Sequence, residues 1–142
     1  MRFIVLSRPE AEKYKPEVSA IIISITDPEQ PQAALRNILE YKDCLRLQFH
    51  DLDHPIEGYK YLKMFHKTDA EQIIAFVDKY KDGVELVVVH CEAGVSRSAG
   101  VAAALSVIYN NTCEEFYSSR YYPNALVKSV ILRVAGLYGD LE

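Results

Sequence analysis

The chain has 142 residues, of which 49% are hydrophobic and 25% are charged, and its formal net charge at pH 7 is −4. This length and balance predict a single globular domain over residues 1–142, and the lack of basic runs argues against binding to nucleic acid or to an anionic membrane surface. No apolar run approaches the roughly 18 residues of a membrane span, and Met1–Leu6 has too short an apolar core for a signal peptide. We therefore expect a cytoplasmic protein with no membrane partner.

Strands and helices alternate along the chain. Short apolar or alternating runs predict strands, and apolar residues spaced by three and four predict helices. The predicted strands are residues 3–6, 20–25, 44–49 and 84–90, and the predicted helices are residues 32–41, 68–81, 98–109, 114–117 and 125–137. Residues 8–14 are expected to form a loop with one helical turn, and Thr68 and Glu71 fit a capping box. The order predicts an α/β fold, with a central, mostly parallel sheet of four to five strands flanked by helices on both faces.

The cysteines and histidines do not fit a disulfide framework or a metal site. Cys44, Cys91 and Cys113 are an odd number without a Cys-x-x-Cys pair, which is typical of free thiols in a reducing compartment. His50 and His54 are four residues apart, but Pro55 and the acidic residues between them predict a loop, not a helical metal site. We expect no metal and no cofactor. The oligomeric state, and any redox role for Cys44 or Cys113, stay open.

One stretch carries a chemical signal. The buried strand predicted at residues 84–90 runs directly into His90-Cys91-Glu92-Ala93-Gly94-Val95-Ser96-Arg97-Ser98 and then into a helix. A loop that enters a helix N-terminus presents unpaired N–H groups to an anion, and an arginine can hold two phosphate oxygens at once. The same positive field favours the thiolate form of a cysteine. The stretch therefore predicts a phosphate site with a nucleophilic sulfur.

This motif resembles the signature loop of the cysteine-dependent protein tyrosine phosphatase superfamily, and it is most similar to the dual-specificity branch. The resemblance extends over about residues 20–137 and includes Pro123-Asn124 before the last helix. It implies a phosphatase-like catalytic domain that hydrolyses phosphotyrosine in a phosphorylated protein substrate through a cysteinyl-phosphate, with phosphoserine and phosphothreonine left open. In the implied roles, Cys91 is the nucleophile, Ser98 assists breakdown of the intermediate and His90 fixes the loop geometry. The implied phosphate-binding residues are Arg97 and the loop residues Glu92, Ala93, Gly94, Val95 and Ser96.

The reaction also needs a carboxylic acid to protonate the leaving oxygen. The candidates are Asp51 and Asp53, which follow the strand predicted at residues 44–49. Leu47, Phe49 and Asp51 share one face of that strand, and the family places its acid in the same pattern. We therefore favour Asp51. The separation from Cys91 along the chain is longer than is usual in short members of the family, so Asp53 stays an alternative.

Several other readings of the loop remain open. Phosphoinositide phosphatases of the superfamily carry lysines in this loop, and RNA 5′-triphosphatases carry an asparagine, whereas this loop has Glu92 and neither of those residues. Low-molecular-weight phosphatases place the motif after the first strand, which does not fit here. The alternatives that remain are a non-catalytic phosphate-binding module and a rhodanese-like sulfurtransferase. Tyr59, Lys60 and Tyr61 are candidates for stacking beside a phosphotyrosine ring.

Overall fold

The computed structural model describes residues 1–58 and 62–137. Tyr59, Lys60 and Tyr61, the candidate stacking residues, lie outside the described residues. The strands are β1 (Arg2–Leu6), β2 (Ala20–Thr26), β3 (Cys44–Gln48) and β4 (Leu86–His90). The α-helices are α1 (Arg8–Lys13), α2 (Lys67–Tyr80), α3 (Arg97–Asn110) and α4 (Ala125–Val134), with 3-10 turns at Ile38–Glu40 and Glu114–Tyr117.

The four described strands form one parallel sheet in the order β1-β4-β2-β3. The two central strands, β2 and β4, are buried along their whole length. Their continuous runs of isoleucine and valine explain this burial, because a parallel sheet covered on both faces favours branched apolar side chains at every position. The predicted α/β class is confirmed, and the sheet has four parallel strands.

Two hydrophobic clusters cover the two faces of the sheet. Alternate residues of β2 point to opposite faces, so that Ile21 and Ile23 join the larger cluster with α2, α3 and α4, while Ile22 joins the smaller one. The smaller cluster contains Ala11 from α1 and Leu35 from the segment after β2. The helices thus lie on both faces, as the alternating order of elements predicts.

The carboxyl ends of all four strands meet at one edge of the sheet, because the strands are parallel. The residue pairs Leu6–His90 and Ser24–His90 fix β1 and β2 beside the end of β4, and Thr26–Gln48 fixes β3 beside the end of β2. Open parallel sheets place their ligands at this edge. The residues that follow each strand are therefore the first candidates for a functional site.

The helix predicted at residues 32–41 is wrong. The structure has only the 3-10 turn at Ile38–Glu40 there, and the preceding residues are irregular. Their backbone groups find partners elsewhere: Ala34 donates its N–H to the Glu12 carboxylate at 2.9 Å, and Arg36 donates its N–H to the Glu12 carbonyl at 3.0 Å. Ala33 and Leu35 are buried as an irregular segment packed on the sheet, not as a helix face.

Three helix boundaries also differ from the prediction. Residues 8–13 form helix α1 and not a loop, because Ser7 caps it through a reciprocal pair of hydrogen bonds with Glu10. Helix α2 begins at Lys67, before the predicted cap at Thr68, and Asp69 accepts the N–H of His66 at 2.8 Å. Helix α4 ends at Val134, three residues before the predicted end at residue 137. None of the described helices is both long and apolar enough to cross a membrane.

Candidate active site

Cys91 lies at the bottom of the loop that joins β4 to α3. The residue is 2% exposed, whereas Ala93 and Val95 stand at the surface around it. Its sulfur accepts the N–H of Gly94 at 3.3 Å and lies 3.0 Å from the hydroxyl oxygen of Ser98. A backbone N–H and a hydroxyl beside one sulfur can both donate to a thiolate, which stabilises its negative charge.

The loop backbone is folded as a cradle. In the described part of the chain, the N–H groups of Ala93, Val95 and Ser96 have no hydrogen-bond acceptor. Gly94 makes the turn possible, because its φ is +71° and a Cβ atom there would lie 2.5 Å from the backbone nitrogen of Ser7. These unpaired donors beside the Cys91 sulfur fit a tetrahedral oxyanion such as phosphate.

Arg97 is anchored by only part of its guanidinium group. The side chain is buried, and its Nη1 atom donates to the Asp27 carboxylate at 2.7 Å and to the Phe49 carbonyl at 2.8 Å. Its Nε atom is buried and has no partner among the described residues. A buried, unpaired donor is costly unless something binds it. The arrangement leaves Nε available for an oxygen of a bound anion.

His90 is completely buried behind the loop. Its Nδ1 atom lies 3.1 Å from the Cys91 carbonyl, and because a carbonyl only accepts, Nδ1 carries the proton. Its Nε2 atom then accepts from the Ser24 hydroxyl at 2.5 Å. Burial away from water lowers the pKa of His90 from its ordinary value of 6.5, so the ring is neutral at neutral pH. His90 thus holds the carbonyl of Cys91 in place from the core side.

The structure separates the two candidate acids. Asp51 is exposed, and its Oδ1 atom accepts from the Ser96 hydroxyl at 2.8 Å and from the Asn124 side-chain amide at 2.9 Å. Asp53 pairs instead with His54 at 2.5 Å, and both of these side chains are well exposed. Only Asp51 of the two is hydrogen-bonded to the loop that carries Cys91.

A pocket of about 470 Å³ opens beside Asp51, and Asp53 lines it as well. The outer part of the loop forms one wall through Val95 and Ser96, and the segment before α4 forms another. The exposed aromatic side chains at its rim are Tyr117 and Tyr122. An apolar and aromatic rim next to a carboxylic acid is suited to the organic part of a phosphate ester.

Asn124 joins the acid to the last helix. Its Oδ1 atom accepts the N–H of Val127 at 3.0 Å and so caps α4, while its Nδ2 atom donates to Asp51 and to the Leu52 carbonyl. Helices α3 and α4 come close at this point, since a Cβ atom on Gly100 would lie 2.8 Å from the Asn124 carbonyl oxygen. The packing of the two helices thereby sets the position of Asp51.

Sequence reasoning missed three partners of the site: Ser24, Asp27 and Arg8. Ser24 is a polar residue inside an otherwise apolar strand, and it lies directly opposite His90 in the sheet. Asp27 and Arg8 follow the carboxyl ends of β2 and β1, and they contact Arg97 and Glu92, respectively. A polar residue inside a buried strand, or just after one, was the signal that could have identified them.

The other two cysteines lie outside the loop that carries Cys91. Cys44 and Cys113 are free and partly buried, and burial raises the pKa of the Cys44 thiol. In residues 1–58 and 62–137, no group of three or more histidine, cysteine or acidic side chains is arranged to hold a metal ion.

Comparisons with solved structures identify the fold. The chain matches the human tyrosine phosphatase-like serine/threonine/tyrosine-interacting protein with a TM-score of 0.64 and 19% identity, over 96% of this chain and 92% of that one. It matches human DUSP28 with a TM-score of 0.63 and 15% identity, over 96% and 94% of the two chains. The chain has the fold of the dual-specificity phosphatases.

This phosphatase fold is shared by proteins with different partners. PTPMT1 in complex with PI(5)P matches with a TM-score of 0.58 and 16% identity, over 95% of this chain and 93% of that one. No protein-family model matches the sequence, and no curated protein sequence does so either. Since the identities are low, the likeness defines the architecture, and the chemistry has to be argued from the residues of this chain.

Proposed function

We propose that this protein is a phosphatase that hydrolyses phosphotyrosine in proteins, with phosphoserine and phosphothreonine left open as further substrates. The observation that supports the proposal most directly is the surroundings of Cys91. Gly94 donates its N–H to the sulfur, the Ser98 hydroxyl lies 3.0 Å from it, and the buried Nε atom of Arg97 has no partner among the described residues. Asp51 is hydrogen-bonded to the same loop.

In the first chemical step, the thiolate of Cys91 attacks phosphorus and the bond from phosphorus to the ester oxygen breaks. Asp51 gives its proton to that oxygen, so the product leaves as a neutral alcohol or phenol. Arg97 and the loop N–H groups bind the phosphoryl oxygens as their charge changes. The result is a phosphate covalently bound to the sulfur of Cys91.

In the second step, water attacks the cysteinyl-phosphate and Asp51, now ionised, accepts a proton from it. The bond between sulfur and phosphorus breaks and the electron pair returns to Cys91 as a thiolate. Ser98, 3.0 Å from the sulfur, donates a hydrogen bond to that thiolate and makes it a better leaving group. Inorganic phosphate is released, and the enzyme is back in its starting state, with Asp51 protonated and Cys91 as a thiolate.

Two features support a phosphorylated protein as the substrate. The loop contains Glu92 and no lysine, which does not favour a polyanionic head group. The pocket beside Asp51 has an exposed aromatic rim formed by Tyr117 and Tyr122, and Val95 of the loop lines it as well. Such a rim suits an aromatic ring attached to the phosphate.

The first experiment is hydrolysis of para-nitrophenyl phosphate across pH by the wild-type protein and by the variants Cys91→Ser, Asp51→Asn and Asp53→Asn. We expect Cys91→Ser to be inactive, and Asp51→Asn to lose both about 100-fold or more in kcat and the basic limb of the pH profile. Asp53→Asn is the matched control and should keep that limb. If the wild-type protein binds an oxyanion but does not hydrolyse the ester, the proposal fails and a phosphate-binding module replaces it.

A further inference from the structure

Glu92 presents a problem for anion binding. It follows Cys91 directly, in a loop whose N–H groups surround the proposed phosphate position. A carboxylate beside a bound phosphate would repel it, and at short range in a partly shielded site such repulsion weakens binding considerably. The surroundings of Glu92 therefore decide whether the loop can hold an anion.

Arg8 fixes Glu92 by two kinds of contact. The backbone N–H of Arg8 donates to the Glu92 carbonyl at 3.1 Å, and its Nη1 atom lies 3.3 Å from the Glu92 carboxylate. The other terminal nitrogen of Arg8 donates to the carbonyls of Pro31 and Gln32 at 2.6 Å and 3.1 Å, so the guanidinium group is held at both ends. The two side chains are only 18% and 27% exposed, which limits screening by water.

The same carboxylate is connected to Arg97 through Asp27. Glu92 Oε2 accepts the backbone N–H of Asp27 at 3.1 Å, and the Asp27 carboxylate accepts from Arg97 Nη1 at 2.7 Å. Arg8, Glu92, Asp27 and Arg97 thus form a row from α1 to the guanidinium at the loop, with two carboxylates in the middle and an arginine at each end. With all four present the row is electrically balanced, and without Arg8 it carries an excess negative charge.

The charges of Arg8 and Glu92 both reach the interior of the site. At His90, whose ring is behind the loop, Glu92 acts to raise the pKa and Arg8 acts to lower it. Glu12, the other acidic partner of Arg8, lies 3.4 Å from its Nε atom and also accepts the N–H of Ala34. Glu12 therefore shares the charge of Arg8, but it has no hydrogen bond to the loop that carries Cys91.

We propose that Arg8 is a positioning residue of the phosphate loop: it neutralises Glu92 and fixes it, so that Glu92 orients Asp27 towards Arg97 while the loop keeps its affinity for an oxyanion. The inference rests on the proposed function only in requiring that the loop bind an oxyanion. It gives α1 a role in the site, although α1 lies far from Cys91 in the sequence. It also predicts that Arg8 and Glu92 have opposite effects on anion binding.

The test measures binding of inorganic tungstate, a stable phosphate-like oxyanion, by calorimetry, and KM for para-nitrophenyl phosphate beside it. Arg8→Gln should weaken tungstate binding roughly tenfold, because the carboxylate of Glu92 is then unbalanced. Glu92→Gln should tighten binding, since the amide oxygen can still accept the N–H of Asp27 while the negative charge is gone. The double variant should recover most of the loss seen in Arg8→Gln.

Arg2→Gln is the matched control. It removes the same charge, but Arg2 pairs with Leu86 at the amino ends of the strands, at the edge of the sheet opposite the loop. Tungstate binding should therefore change little in Arg2→Gln. Thermal unfolding of every variant reports whether the fold survives, and Glu92→Gln tests the proposal on its own if Arg8→Gln is poorly folded.

Three results would overturn the inference. If Arg8→Gln and Glu92→Gln change tungstate affinity in the same direction, Arg8 has only a structural role. If Arg8→Gln binds tungstate as tightly as the wild type, Glu92 does not influence the anion. If the wild-type protein binds no tungstate, both this inference and the proposed function fail. If the wild-type protein binds tungstate and hydrolyses para-nitrophenyl phosphate, either of the first two results overturns only the role of Arg8.

Discussion

The groups that contact Cys91 come from both sides of its loop and from the core below it. Ser98 and Gly94 approach the sulfur from the loop and the first turn of α3, and His90 holds the Cys91 carbonyl from the buried strand. Ser24 completes this set, because its hydroxyl donates to His90 Nε2 while the Cys91 carbonyl fixes the proton on Nδ1. A buried hydroxyl with this single task is a specific target for mutation.

We predict that Ser24→Ala leaves His90 Nε2 buried without a donor and reduces the free energy of unfolding by about 1–3 kcal/mol. It should also change the pH dependence of Cys91 alkylation by iodoacetate, because His90 loses the hydroxyl that orients its ring against the Cys91 carbonyl. Chemical denaturation and alkylation rates across pH measure the two effects.

Ser106→Ala is the matched control for this variant. Ser106 is also buried and its hydroxyl also donates one hydrogen bond, to the Thr112 carbonyl in the turn after α3. It should lose stability without any change in Cys91 alkylation. An unchanged alkylation profile in Ser24→Ala would contradict the positioning role of Ser24.

At the scale of elements, the site depends on how α4 begins. Asn124 caps α4 through its side-chain oxygen and contacts Asp51 through its side-chain nitrogen. The backbone N–H of Asn124 also donates to the Ser96 carbonyl at 3.0 Å, and that of Tyr122 donates to the Val95 carbonyl at 2.9 Å. The segment before α4 therefore supports both the phosphate loop and the proposed acid.

Substitutions at Asn124 can separate these two tasks. Asn124→Asp keeps an oxygen that caps α4, so stability should change by less than about 1 kcal/mol. It loses the amide donor and places a second carboxylate beside Asp51, so kcat should fall about tenfold or more and the basic limb of the pH profile should move. The profile of para-nitrophenyl phosphate hydrolysis and a thermal melt measure the two outcomes.

Asn124→Ala should lose both the cap and the contact with Asp51, at a cost of about 1–2 kcal/mol in unfolding free energy in addition to the loss of kcat. The comparison between the two variants is decisive. If Asn124→Asp retains the wild-type pH profile, the amide of Asn124 does not position the acid.

For the whole molecule, the parallel sheet gathers residues that are far apart in sequence. Each strand ends at the same edge and is followed there by a residue of the site: Arg8 after β1, Asp27 after β2, Asp51 after β3 and Cys91 after β4. The two central strands deliver Asp27 and Cys91, and the edge strands deliver the other two. The integrity of the sheet and of its buried polar residues therefore determines both stability and the site.

Stability of the whole fold should decrease as the pH is lowered below about 6.5. Burial lowers the pKa of His90 below its ordinary 6.5, so between these two values the unfolded chain binds a proton that the folded chain does not. The unfolded state then binds more protons, and the free energy of unfolding falls with falling pH, by at most about 1.4 kcal/mol per pH unit for one proton. Urea denaturation between pH 7.5 and 5 measures this slope.

The variant His90→Gln should show a smaller slope in that range, whatever its absolute stability. His54→Gln, which alters an exposed histidine, should keep the wild-type slope. Equal slopes in the wild type and His90→Gln would mean that His90 is not the group responsible.

Below about pH 4.5 the free energy of unfolding should decrease further, because hydrogen bonds from Ser7 and from Tyr80 lower the pKa of Glu10 and Asp43, respectively.

Sequence patterns predicted the structure correctly where the residues that form it are close together in the chain. The strand, loop and helix around Cys91 are adjacent in the chain, so the residue types and their spacing were enough to predict them, and the side-chain alternation in β3 favoured Asp51. The helix expected at residues 32–41 failed because its backbone groups are satisfied by Glu12, a residue that no local pattern connects to it. Local periodicity cannot include such a partner.

By itself the sequence determined the α/β class and the strand, loop and helix around Cys91, since both follow from patterns within short windows. Only the tertiary structure decided that Asp51 and not Asp53 contacts the loop, and that Arg8, Ser24 and Asp27 belong to the site. Arg8 and Glu92 are 84 residues apart in the chain, and Arg97 and Asp27 are 70 apart. Those contacts exist because parallel pairing brings four strand ends to one edge, and their register is set by packing of the whole sheet.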